Sequence, residues 1–134
     1  MKQIFNFPLP PTLNEQIREA RAHWAISAKT KKEWTGIVAQ EAFGTSQFTG
    51  KVWMDFVWGL RRFDRDPDNV AAAAKYILDG LKVAKVIRDD NLTVIQSPVI
   101  HWYEKDPTPS VMVTIADSPG FIFERMSVFQ QLVS

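Results

Sequence analysis

The chain has 134 residues, of which 46% are hydrophobic and 23% charged, and its formal net charge is +1. Such a length suits one domain that buries about two-thirds of its unfolded surface, and the composition argues against disorder throughout and against a global basic field as the means of holding a partner. The absence of cysteine removes disulfides, thiolate metal sites and cysteine nucleophiles. No run approaches the ~18 apolar residues of a membrane span.

Phe5 and Phe7 alternate with Ile4 and Asn6 before Pro8, Pro10 and Pro11, a pattern for a short strand ending in a rigid turn. Residues 12–29 are polar and read as a long loop. Thr30-Lys31-Lys32-Glu33 has the form of a capping box, and Trp34, Ile37, Val38 and Ala42 follow at helical spacing. This predicts a helix over roughly 30–43, with Gly44 as its stop. Val52, Met54, Phe56, Trp58 and Leu60 alternate with Trp53, Asp55, Val57 and Gly59, which predicts a buried strand with apolar residues on both faces. A small domain has difficulty covering both, so a second copy of the chain is expected to bury one of them.

Past that strand come Arg61-Arg62-Phe63-Asp64-Arg65-Asp66-Pro67-Asp68-Asn69. Pro67 suits a loop or a helix start, and Asp68 and Asn69 are good caps. The stripe Val70, Ala74, Ile77, Leu78, Leu81 and Ala84 predicts an amphipathic helix, with Gly80 as the place where it kinks or ends. Asp89-Asp90-Asn91 is a turn signal. Leu92–Tyr103 is rich in β-formers but interrupted by Ser97-Pro98, as in a broken or edge strand. Val111, Val113 and Ile115 mark a last strand. Beyond Pro119-Gly120, Ile122, Met126, Phe129 and Val133 fall at helical spacing, and this tail is expected to dock as a helix. The expected fold is α/β (α+β), a small mixed sheet of about four strands packed by two main helices. Residues 1–118 form the main domain and 119–134 the tail.

The candidate chemistry lies in the carboxylates. Asp64, Asp66 and Asp68 occupy alternate positions, and Asp89 and Asp90 form a pair. Close carboxylates repel unless cations compensate, and hard oxygen ligands suit Mg²⁺ or Mn²⁺. An EF-hand is excluded: counting from Asp64, the glycine of position six is Asn69 and the glutamate of position twelve is Lys75. The bland alternative makes Asp68 a helix cap and Asp66 its solvated neighbour. Lys29, Lys31 and Lys32, then Arg61, Arg62 and Arg65, then Lys82, Lys85 and Arg88 form local basic clusters that are either solvated faces or phosphate contacts. Trp24, Trp53 and Trp58 suit the core or base stacking. His23 and His101 have no paired-ligand spacing, and no phosphate-cradling glycine loop or serine elbow is present.

Arg65-Asp66-Pro67-Asp68-Asn69, then Lys75, Asp79-Gly80-Leu81 and Val86-Ile87-Arg88-Asp89-Asp90 together resemble the core of the RusA-type Holliday-junction resolvases. Phe7-Pro8-Leu9-Pro10-Pro11-Thr12-Leu13-Asn14 is similar to that family's opening strand and Pro-Pro-x-x-Asn turn. The resemblance runs over roughly residues 3–116, and phage-borne members resemble residues 65–90 most, which suggests a prophage origin. It implies a homodimeric, Mg²⁺-dependent endonuclease of the cytoplasm that nicks opposed strands of a four-way DNA junction in recombination and repair. Asp66, Asp68 and Asp90 would be the metal ligands and Lys75 a catalytic cation. Arg65, Arg61, Arg62, Lys31 and Lys32 would contact DNA, and Asn69 and Asp89 would support the site. One departure stands out: the family's lysine position falls on Ala72, and Lys75 lies three residues on, about 60° around the helix and ~4.5 Å along it. A nuclease for other branched DNA and an inactive junction-binding protein are the alternatives.

Overall fold

The computed structural model describes residues 1–133, with side chains to Gln131. Val133, part of the expected apolar stripe of the tail, therefore lies outside the described side chains. The elements run β1 (Lys2–Pro8), α1 (Leu13–Ala22), α2 (Trp24–Ala42), β2 (Trp53–Leu60), α3 (Pro67–Ala71), α4 (Ala74–Val83), β3 (Ile100–Lys105), β4 (Ser110–Ala116) and α5 (Gly120–Val133). The sheet is mixed and four-stranded, in the order β1-β4-β2-β3. β2 and β3 are parallel, and β4 lies antiparallel to both β1 and β2. The fold is the small α+β architecture that the alternating strands and the amphipathic stripe imply.

The main core fills one face of the sheet. Phe5 and Phe7 from β1, Met54, Phe56 and Trp58 from β2, and Val111, Val113 and Ile115 from β4 meet Val38 and Ala42 of α2 and Ile77 and Leu81 of α4. The helices approach so closely at Gly80 that an added Cβ would sit 2.4 Å from the Val38 Cβ and 3.0 Å from the Thr35 carbonyl oxygen. Gly80 is thus a contact point between helices; the actual break falls earlier, at Ala72 and Ala73 between α3 and α4. Gly80→Ala should destabilise the fold by about 1–2 kcal/mol in urea unfolding, because overpacking a β-branched neighbour outweighs alanine's better helix propensity.

Three other expectations are corrected. Residues 12–29 are not a loop but α1 and the first turns of α2. Thr30 is consequently an interior helical residue, and the capping box is unused. His23 caps α2 instead, its Nδ1 accepting from the Ala25 N–H at 3.1 Å. The second face of β2 does not wait for another subunit: β2 is buried from Met54 to Leu60, and α5 lies on that side. Phe121 and Ile122 pack with Trp53, Ile100 and Ala116, and Phe129 stacks on Trp102 at 4.6 Å. Between them Arg125 hydrogen-bonds the buried Asp55 and donates to the Thr114 hydroxyl at 2.9 Å. Met126 is 39% exposed, so Arg125 rather than Met126 faces the sheet.

His101 is built into the sheet. Its Nδ1 accepts from the Trp58 Nε1–H at 2.9 Å, and its ring stacks on Phe56 at 5.0 Å. Burial holds its pKa below the ordinary imidazole value. The unfolded chain therefore binds a proton more readily than the folded one, and stability falls as pH drops below about 6.5. Urea titrations at pH 7.5 and 5.5 should show this loss, and His101→Asn should reduce it.

Candidate active site

β2 and β3 run parallel, and the chain leaves the C-terminal end of β2 through Arg61–Asp66 into α3. That is where parallel strands commonly place functional loops. Pro67 takes the first helical position and Asp66 the N-cap, without a side-chain capping bond. Asp68 sits in the first turn; it does not cap the helix. Both carboxylates are exposed, and among the described residues neither takes a hydrogen bond or an ion pair. The Tyr103 hydroxyl of β3 donates to the carbonyl of Pro67 at 3.1 Å, pinning the residue between them. Burial, and then the nearby Asp68, raises the Tyr103 pKa.

The two walls beside Asp66 come from different parts of the chain. α1 and the β2–α3 loop enclose an open cleft of about 340 Å³ that holds Glu15, Arg18, Arg62, Asp64, Arg65 and Asp66. Asn69 braces them, its side-chain oxygen accepting from the Asn14 N–H at 2.8 Å. Arg62 is committed to Asp64 by two hydrogen bonds. That contact lowers the Asp64 pKa and raises that of Arg62. Arg65 adds to the pull on Asp64 without pairing with it. Arg61, Arg62 and Arg65 also line an adjoining cleft of about 480 Å³ with Leu9, Leu60 and Pro109.

Asp89 and Asp90 lie by the last turns of α4. Lys82 approaches Asp89 at 3.1 Å and Asp90 at 3.8 Å. Asp89 closes the turn, accepting from the Asp90 N–H at 2.8 Å and the Asn91 side-chain amide at 3.2 Å. Those bonds, the Asp90 N–H first and Lys82 next, lower its pKa. Lys82 is raised in turn, chiefly by Asp89. The Asp90 carboxylate accepts no hydrogen bond among the described residues. The pair is thus divided, with Asp89 spent on the turn and Asp90 held only loosely.

Lys75 is exposed, and its Nζ lies 5.4 Å from the Tyr76 ring centre. It does not pair with Asp79, whose partner is Lys31 at 3.9 Å. Lys32 is exposed without an ion pair among the described residues. Trp58 is core, whereas Trp24 is 75% exposed at the start of α2. Nothing in the sequence marks Arg18, Tyr103 or Lys82 as belonging with the aspartates; tertiary packing brings them there. Asn14 alone carried a signal, through the Pro-Pro-x-x-Asn turn.

Asp66, Asp68 and Asp90 are suited to a hard cation in donor chemistry, being carboxylates that accept no hydrogen bond among the described residues, although Asp90 has Lys82 at 3.8 Å. In position they are not gathered: among the described residues no group of three or more acidic or histidine side chains is arranged to hold a metal. No helix among the described residues is long and apolar enough to cross a membrane. Compared with models of protein families and with curated proteins, the chain matches none.

Proposed function

We propose that the chain is a metal-dependent endonuclease that resolves four-way DNA junctions, working as a homodimer with Mg²⁺ or Mn²⁺. The observation that carries this reading is the pair of carboxylates at the start of α3, Asp66 and Asp68, which with the adjacent Arg65 have no ion pair among the described residues. Two carboxylates two residues apart, each without a partner among the described residues, repel one another, a cost that a bound cation offsets. The resemblance of residues 65–90 to the junction-resolving family supports the choice of chemistry, and it adds Asp90 to the set.

A divalent ion bound to these carboxylates would supply Lewis-acid charge to the scissile phosphate and its attacking water. The chain's own residues do the rest. Arg65, which lines the cleft with Asp66, would supply fixed positive charge to the negative charge that grows on the phosphoryl oxygens. Asn69 and Tyr103 hold the α3 start so that Asp66 and Asp68 keep their spacing without a ligand. Lys31, Lys32 and Arg61 contribute sequence-independent phosphate contacts along the arms. Two copies related by a two-fold axis match a substrate with two symmetric scissile phosphates. A synthetic four-way junction should be nicked symmetrically in the presence of Mg²⁺, with a linear duplex spared and EDTA abolishing the reaction. Cleavage of flaps in preference to junctions would redirect the substrate assignment, and junction binding without cleavage under any divalent ion would remove the enzymatic one.

A further inference from the structure

The wall of the cleft facing Asp66 belongs to α1, in which only Asn14 carries a signal in the sequence. Arg18 stands on it, exposed and without an ion pair among the described residues, and lines the same cleft as Arg65. Of the three arginines there, only Arg62 is spent, on Asp64. We propose that Arg18 and Arg65 form a two-sided clamp on one phosphodiester of a DNA strand, seating it beside Asp66. The identity of the anion rests on the nuclease reading; the clamp itself rests on the cleft.

Three observations support it. A guanidinium presents a planar fork of donors that matches phosphate oxygens, and two forks from separate walls fix the orientation of the group between them. The α1 wall is also set in advance. The Asn69 side chain fastens the first turn of α1, and Gln16 Nε2 donates to the Pro11 carbonyl at 2.9 Å and to the Ala72 carbonyl at 3.3 Å, in the break between α3 and α4. Little ordering is therefore left for the ligand to bring about. Finally, Glu15, Asp64 and Asp66 in the same cleft oppose a small free anion. A strand overcomes that opposition because its affinity is spread over many phosphates outside the cleft.

The test uses the full chain in EDTA, so that nothing is cut, with fluorescence anisotropy of a labelled four-way junction across a salt series. Arg18→Gln should lower the slope of log affinity against log salt by about 1 and weaken binding up to about tenfold at 0.1 M salt. Arg18→Lys should restore the slope but only part of the affinity, and Lys51→Gln, outside the cleft, should change neither as much. Wild-type slope and affinity in Arg18→Gln overturn the clamp. Saturable displacement of the junction by a mononucleotide at constant ionic strength overturns the strand as occupant. The nuclease reading fails separately: a junction bound through Arg18 but never nicked with Mg²⁺ leaves the clamp and removes the enzyme, whereas nicking that ignores Arg18 does the reverse.

Discussion

Asp66→Asn, Asp68→Asn and Asp90→Asn should each reduce Mg²⁺-dependent junction cleavage by at least about a hundredfold, while junction affinity in EDTA stays near that of the wild type. Asparagine keeps the shape and removes the charge that a hard cation needs. Affinity should survive because it comes from Lys and Arg contacts to phosphates, which these substitutions leave in place. The fold is not at stake at Asp66 and Asp68, whose carboxylates are exposed and make no capping bond. Asp89→Asn is the informative contrast. Its carboxylate serves the turn and Lys82, so its replacement should lower thermal stability more than cleavage by the folded fraction. Single-turnover rates beside melting curves for the four variants check both halves. Unchanged cleavage in Asp66→Asn or Asp68→Asn would detach that residue from the site. Unchanged cleavage in Asp90→Asn would leave it as a mere neighbour of Lys82.

What could be read in advance followed from distance along the chain. Asp66 and Asp68 are two residues apart, so their proximity needs no tertiary knowledge, and the apolar alternation of β2 places them at a strand end. Lys75 illustrates the limit. Lys75 is about two turns past Pro67, and the interruption at Ala72 and Ala73 between α3 and α4 means that ideal helical spacing does not relate it to Asp66 and Asp68. α1 buries none of its residues: Leu13, Ile17 and Ala20 do fall at helical spacing, but three positions among polar residues make a stripe too short to separate a helix from a loop. The cover over β2 is illegible in the sequence for a different reason. Asp55 is the lone carboxylate of an apolar strand, and its partner, Arg125, lies 70 positions away and cannot be paired with it by spacing.

Arg125→Met should cost about 3 kcal/mol, a large fraction of the ~5–15 kcal/mol available to a domain of this kind. Asp55 is fully buried, with one carboxylate oxygen receiving both the Arg125 guanidinium and the Trp102 Nε1–H at 3.0 Å. The other oxygen has no hydrogen-bond partner among the described residues. Removing the arginine leaves a buried charge with one neutral donor, and breaking a buried pair from one side is costly for that reason. The figure is set at the lower end of the usual range because Arg125 itself is 21% exposed, so water screens part of the attraction. The double variant Asp55→Leu with Arg125→Met should recover most of the loss, since two apolar groups need no partner. Urea unfolding of the two single variants and the double gives the coupling directly. The effect should reach the site only through the folded population: roughly 16 Å of strand separates Asp55 from the end of β2. Cleavage per folded molecule should therefore stay at the wild-type level. A loss below 1 kcal/mol for Arg125→Met would mean that Phe121, Ile122 and Phe129 hold α5 to the sheet without the ion pair. A full loss of cleavage in a variant that remains folded would show that α5 acts on the site as well as on stability.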